Sequence, residues 1–179
     1  MKLITIQHEE VFKLLQNSQV YQADYSRVSP NLVAPYQMMQ KYYGWDTCPV
    51  FGGPIGKHAY FRGCKPDGGV ALQLNIPDDI VKIQYFYDWT DIAYFSAFPD
   101  EFAETFDLEM YPTLESYARD VFECKNLGSY NLFQATIPFI RPEWLESSFK
   151  DCNKFLENYD HKQPLAELQM YLADETHLF

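Results

Sequence analysis

Apolar and polar side chains alternate most cleanly from Val70 to Ile76. Val70, Leu72, Leu74 and Ile76 fall on one side of the chain and Ala71, Gln73 and Asn75 on the other, the period of a half-buried strand. A second alternating run predicts a long strand from Tyr130 to Ile140. Its apolar face carries Phe133, Ala135, Ile137 and Phe139, and its other face Leu132, Gln134 and Thr136. Shorter strands are expected at Lys2 to Ile6, Pro49-Val50-Phe51, Ala59-Tyr60-Phe61 and Ile80 to Phe86.

Elsewhere the spacing is helical. Val11, Phe12, Leu14 and Leu15 share a face between His8 and Gln16. Leu114, Tyr117, Ala118, Val121 and Phe122 share one behind Thr113, a good N-cap. Ser29-Pro30-Asn31 reads as a turn and Pro35 as the first residue of a helix that Gly44 closes. Asp88 reads as the cap of a helix through Trp89, Ile92 and Phe95. Pro142 is expected to open a long C-terminal helix along Trp144, Leu145, Phe149, Phe155 and Tyr159, and Pro164 to restart a terminal one. Trp89 and Trp144 are expected to anchor the core.

Several strands are joined by links too short for a crossover, Pro77-Asp78-Asp79 being the clearest, and a short link favours antiparallel pairing. The expected fold class is therefore α+β. One domain spans residues 1–179, in which a mixed, mainly antiparallel sheet, whole or split, packs with helices. A chain of 179 residues buries one such core without disulfides or metals.

Charge narrows the functions. A net charge of −11 argues against a basic, phosphate-tracking surface, so direct nucleic-acid binding is not expected. Small ligands and a basic protein partner stay open. From Pro99 to Lys125 the carboxylates of Asp100, Glu101, Glu104, Asp107, Glu109, Glu115, Asp120 and Glu123 face only Arg119 and Lys125. This segment reads as a solvated helical face, or as a docking patch. The N-terminal residues lack the apolar run of a signal peptide, and nowhere do about 20 apolar residues follow one another as a membrane span needs. Cys48, Cys64, Cys124 and Cys152 include no C-x-x-C pair. Reduced thiols in a cytoplasmic protein, away from membranes, are the expectation.

Familiar chemical motifs are missing. Gly52-Gly53-Pro54-Ile55-Gly56-Lys57-His58 falls short of a phosphate loop: Phe51 stands where a glycine is needed, His58 where a hydroxyl must meet magnesium, and Pro54 removes a donor. His8, His58, His161 and His177 form no metal-ligand spacing with each other or with the cysteines, so no metal site is expected. There is no G-x-S-x-G elbow. Cys48 and Cys64 are nucleophiles only if a neighbour lowers the thiol pKa; buried cysteine more commonly acts as a small hydrophobe.

The run Lys65-Pro66-Asp67, then Val70-Ala71-Leu72-Gln73-Leu74-Asn75-Ile76-Pro77-Asp78-Asp79, then Asp88-Trp89 resembles a bacterial family known only as domain of unknown function 3841. Thr5-Ile6-Gln7 with Glu10 and Val11, Pro35-Tyr36 with Met38-Met39, and Phe133-Gln134-Ala135 leading to Ile140-Arg141-Pro142-Glu143-Trp144-Leu145 are similar to that family's other motifs, in the same order. The resemblance covers about residues 5–144. The chain departs from the pattern at Pro49-Val50-Phe51-Gly52-Gly53 and in the loop through Cys64. The resemblance implies a fold neighbourhood and carries no established activity.

Gln134 is the polar residue with the most to say. In the middle of a strand its amide either faces water or lines a cleft. ADP-ribosyltransferase-like folds are small, α+β and split-sheeted, and a late strand Glu or Gln in them holds the nicotinamide ribose of NAD. By that fold-level analogy Gln134 is the candidate catalytic residue, and Thr5, Gln7 and Tyr60 are candidates for binding NAD as cofactor. The alternative is a non-enzymatic interaction module that uses the acidic segment from Asp100 to Glu123 to meet a basic protein.

Overall fold

The two faces of the central strand decide the architecture. In the computed structural model, which describes residues 1–55, 69–128 and 131–150, β1 (Lys2–His8) buries Leu3 on one face and Ile4 on the other. A strand buried on both faces needs a layer on each side. β1 pairs along its whole length with β3 (Gly69–Asn75), from Lys2 opposite Asn75 to His8 opposite Gly69. β2 (Val50–Pro54), β4 (Lys82–Tyr85), β5 (Phe133–Ile137) and β6 (Leu145–Phe149) complete one sheet, in the order β4-β5-β2-β1-β3-β6. Every pairing is antiparallel. The described residues form one α+β domain.

One face of the sheet carries Leu3, Val50, Val70, Leu72, Leu74, Ala135 and Ile137. α1 (Glu9–Gln16) covers it with Val11, Phe12 and Leu15, and Trp144 packs there too. His8 caps α1 by accepting from the Glu10 backbone N–H. The other face lies under three helices: α2 (Pro30–Tyr43), α3 (Phe86–Ala97) and α5 (Leu114–Phe122). Met39, Trp89, Ile92, Phe95, Tyr117, Val121 and Phe122 form this second core, closed by Phe102 from α4 (Pro99–Thr105). Thr113 caps α5 reciprocally with Ser116, and Gly44 ends α2 at φ +67°.

The joint between the halves of the sheet is narrow. β1 and β2 pair at Leu3 with Pro54 and Ile4 with Gly53, and the Ile55 N–H donates to the Lys2 carbonyl at 2.9 Å. Just beyond, the Thr5 hydroxyl donates to the Phe51 carbonyl at 2.7 Å, and Gln7 Nε2 donates to Thr5 Oγ1 at 2.8 Å. The backbones are so close here that a Cβ on Gly52 would sit 2.8 Å from the Ile4 carbonyl oxygen.

Several local expectations are corrected. α2 begins at Pro30, so Pro35 lies inside the helix, and the expected turn at Ser29-Pro30-Asn31 is the helix start. A proline tolerates that first turn because its missing N–H has no partner to lose. α3 starts at Phe86, which places Asp88 within its first turn, buried, rather than at its cap. The strand expected at Pro49-Val50-Phe51 begins at Val50 and extends through Gly52, Gly53 and Pro54 as β2. Pro142 opens a single 3-10 turn, Pro142–Trp144, and the chain then runs straight into β6 rather than into a long helix. The apolar spacing across residues 142–149 suits either period; the open edge of β3 decides it. The remainder of the expected C-terminal helices, and the expected strand at Ala59-Tyr60-Phe61, lie outside the described residues.

The link over Pro77-Asp78-Asp79 also behaves differently. β3 and β4 are not neighbours, and four antiparallel steps separate them, so they run parallel. Ile76 and Val81 are buried in the same core as Leu72 and Ile137, so the link crosses a sheet face instead of turning at an edge. The antiparallel character comes from the other connections.

Gly52→Ala is expected to destabilise the domain by about 1–3 kcal/mol, because the new methyl meets backbone rather than a movable side chain. Urea unfolding measures it; an unchanged midpoint would show that the β1–β2 joint has slack.

Candidate functional site

Where β1 and β2 part, the sheet face under α2 and α3 is not filled. A cavity of about 370 Å³ lies there, lined by Ile4 and Ile6 of β1, Phe51 and Gly53 of β2, and Gln134 of β5. Leu32 and Tyr36 of α2, and Phe86, Trp89, Thr90 and Ala93 of α3, form the opposite wall. Tyr36, Phe51 and Trp89 make an aromatic triangle, with centroids 5.0 Å apart for Tyr36–Phe51, 5.4 Å for Phe51–Trp89 and 5.9 Å for Tyr36–Trp89. No charged side chain among the described residues lines the cavity.

Two glutamines share one rung of the β4–β5 ladder, Gln84 opposite Gln134. Both are buried, Gln134 being 5% exposed. Gln84 is saturated: its Nε2 donates to the Tyr43 hydroxyl at 2.8 Å and to Thr136 Oγ1 at 3.0 Å, and the Tyr43 hydroxyl donates to the Phe122 carbonyl at 2.9 Å. Gln134 has no such arrangement. Its Nε2 is buried without a hydrogen-bond partner among the described residues. A buried amide hydrogen left unpaired costs the fold about 1–3 kcal/mol unless something else accepts it. Of the two roles expected for Gln134, facing water or lining a cleft, the structure gives the second.

The other sequence candidates divide. Thr5 borders the cavity, but its hydroxyl is spent on the Phe51 carbonyl. Gln7 does not line the cavity; it supports Thr5 from the sheet face that carries Leu3 and Leu72. Tyr60 lies outside the described residues. Tyr36 and Trp89 supply the aromatic wall from the middle of the chain, and no spacing in the sequence singles them out for it. Burial holds the Tyr36 hydroxyl protonated, with its pKa pushed up to about 12, so it both donates and accepts at physiological pH. Burial likewise raises the Cys48 thiol to about 11, with Asp24 adding to the effect, which removes it as a nucleophile near neutrality. Thr90 donates to the Phe86 carbonyl one turn back, which leaves its hydroxyl to act toward a ligand as an acceptor.

The acidic segment forms the outer surfaces of α4 and α5, whose inner sides bury Phe102, Tyr117 and Val121. Lys125 pairs with Asp120 at 2.6 Å and Glu123 at 2.9 Å. Inside, Asp91 of α3 accepts from the Tyr117 hydroxyl at 3.1 Å. Burial raises its pKa, the Tyr117 hydrogen bond opposes that, and the charge of Asp88 adds to it. Among the described residues no three His, Cys, Asp or Glu side chains are placed to hold a metal ion, and no helix is long and apolar enough to cross a membrane. No family model, curated protein or solved structure matches the chain.

The glutamine pair should respond oppositely to truncation. Gln84→Leu takes a donor away from the Tyr43 and Thr136 hydroxyls and is expected to cost about 1–3 kcal/mol, whereas Gln134→Leu removes an Nε2 that has no partner among the described residues and should be neutral or stabilising. Denaturant midpoints of the two variants test this; equal losses would contradict it. Asp91→Asn tests the half-buried carboxyl. A carboxyl whose pKa is higher folded than unfolded penalises the fold once ionised, so native stability falls as pH rises from the ordinary value of 3.8 through the raised one. The variant should therefore gain on the native protein across that window and hold a constant advantage above it, as read from melting temperatures in a pH series.

Proposed function

We propose that this cleft seats the nicotinamide riboside end of NAD and that the domain is a small NAD-handling protein of the ADP-ribosyltransferase-like kind. The observation that carries the reading is the unpartnered Gln134 amide, buried in a cavity otherwise walled by aromatic and aliphatic side chains. A flat ring gains from offset stacking on Tyr36, Phe51 and Trp89, and the ring's polar edge or the ribose hydroxyls satisfy the amide. The cleft's position, where two strands of a nearly divided sheet separate, supports the same reading.

Within this reading Gln134 is a holding group. A side-chain amide carries no titrating proton, and Tyr36 keeps its own at neutral pH. The described lining thus binds and orients the ligand and supplies no general base.

NAD at millimolar concentration is expected to raise the melting temperature of the native chain and to leave that of Gln134→Leu unmoved. A native chain that shows no shift at that concentration would remove the reading.

A further inference from the structure

Building on that reading, we infer that the cleft recognises the ring alone, and that its ligand class is an uncharged aromatic amide or lactam of one or two rings, with phosphates making no contribution. Size argues for this first. About 370 Å³ stands near the lower end of the range of roughly 300–1,000 Å³ typical of small-molecule sites, so the cavity encloses one or two rings and leaves the rest of a dinucleotide outside.

Charge argues the same way. A pyrophosphate needs cations or a spray of backbone N–H groups, and no Lys, Arg or His among the described residues lines the cleft. α3, which forms one wall, carries Asp88 and Asp91 and no cationic residue. Phosphate oxygens beside this wall find no cation on α3 to attract them.

The polar edge of the ligand follows from Gln134. Its amide offers a donor and an acceptor side by side, and half a turn about the last torsion exchanges them. A carboxamide or lactam edge matches both. A carboxylate matches only the donor, clashes with the acceptor, and must shed its water in a cavity with no compensating charge. Gln84, one rung away, shows the contrast: its amide is saturated by Tyr43 and Thr136 and has nothing to offer a ligand.

The test is calorimetric titration of the full native chain with NAD, nicotinamide and nicotinate at low and high salt. Nicotinamide should bind within about tenfold of NAD, nicotinate at least about tenfold more weakly, and salt should change neither NAD nor nicotinamide affinity appreciably. In Gln134→Leu the preference for amide over acid should disappear while the protein stays folded. NAD binding about a hundredfold tighter than nicotinamide with a steep salt dependence, or nicotinate binding equal to nicotinamide, would overturn the ring-only inference and leave the NAD reading standing. If neither NAD nor nicotinamide binds, the NAD reading itself falls and this inference with it. Because the ligand series uses the native chain, the result does not hang on the variant.

Discussion

A short run of backbone pairing, Leu3 with Pro54 and Ile4 with Gly53 together with the Ile55 N–H on the Lys2 carbonyl, holds the halves of the sheet together. On one side β1 runs in full register with β3, and on the other β2 is tied to β5 through Val50, Phe51 and Gly52. The contact works only because Gly52 has no side chain to press on the Ile4 carbonyl. The Thr5 hydroxyl and the Gln7 amide then form a short relay that catches the Phe51 carbonyl where the ladder ends. On the first face the apolar core bridges the joint, with Leu3 and Leu72 packed in the same cluster as Val50 and Ala135. On the second face the strands are free to diverge, and that divergence opens the cavity.

The polar interior of this second face is divided between structure and vacancy of partners. Tyr43, Gln84 and Thr136 form a closed set of hydrogen bonds that fastens α2 to β4 and β5. Such a set rigidifies a core when every member is satisfied. Gln134, on the same rung and in the same layer, is left out of it. Two identical side chains therefore do different work, Gln84 meeting the Tyr43 hydroxyl and Gln134 facing the cavity.

The elements legible in the sequence were those with an unambiguous period and a local signal. The β3 alternation, the α5 stripe with its Thr113 cap, and Gly44 as the end of α2 all sit within a residue or two of where the pattern puts them. The misread stretches share a different property: tertiary contact settles them. Residues 142–149 became an edge strand because β3 had an edge to extend, and α2 starts at Pro30, whose missing N–H has no partner to lose there. Gln134 was legible as an oddity, a polar group in a strand core, but which side of the sheet was covered by helices was not. Tyr36, Phe51 and Trp89 are far apart along the chain, and only the packing of α2 and α3 over β2 makes them one wall.

The strand order has a consequence for how the protein is made. β5 inserts between β2 and β4, yet it is synthesised after both, with α3, α4 and α5 in between. While the ribosome is still producing residues 86–132, β1 and β3 already have each other, but β2 and β4 each present an edge awaiting the strand that joins them. Open edges on a nascent chain invite pairing with the wrong neighbour. The half of the molecule that carries the cavity thus stays open until β5 emerges, and its assembly is a step at which a chaperone has much to protect.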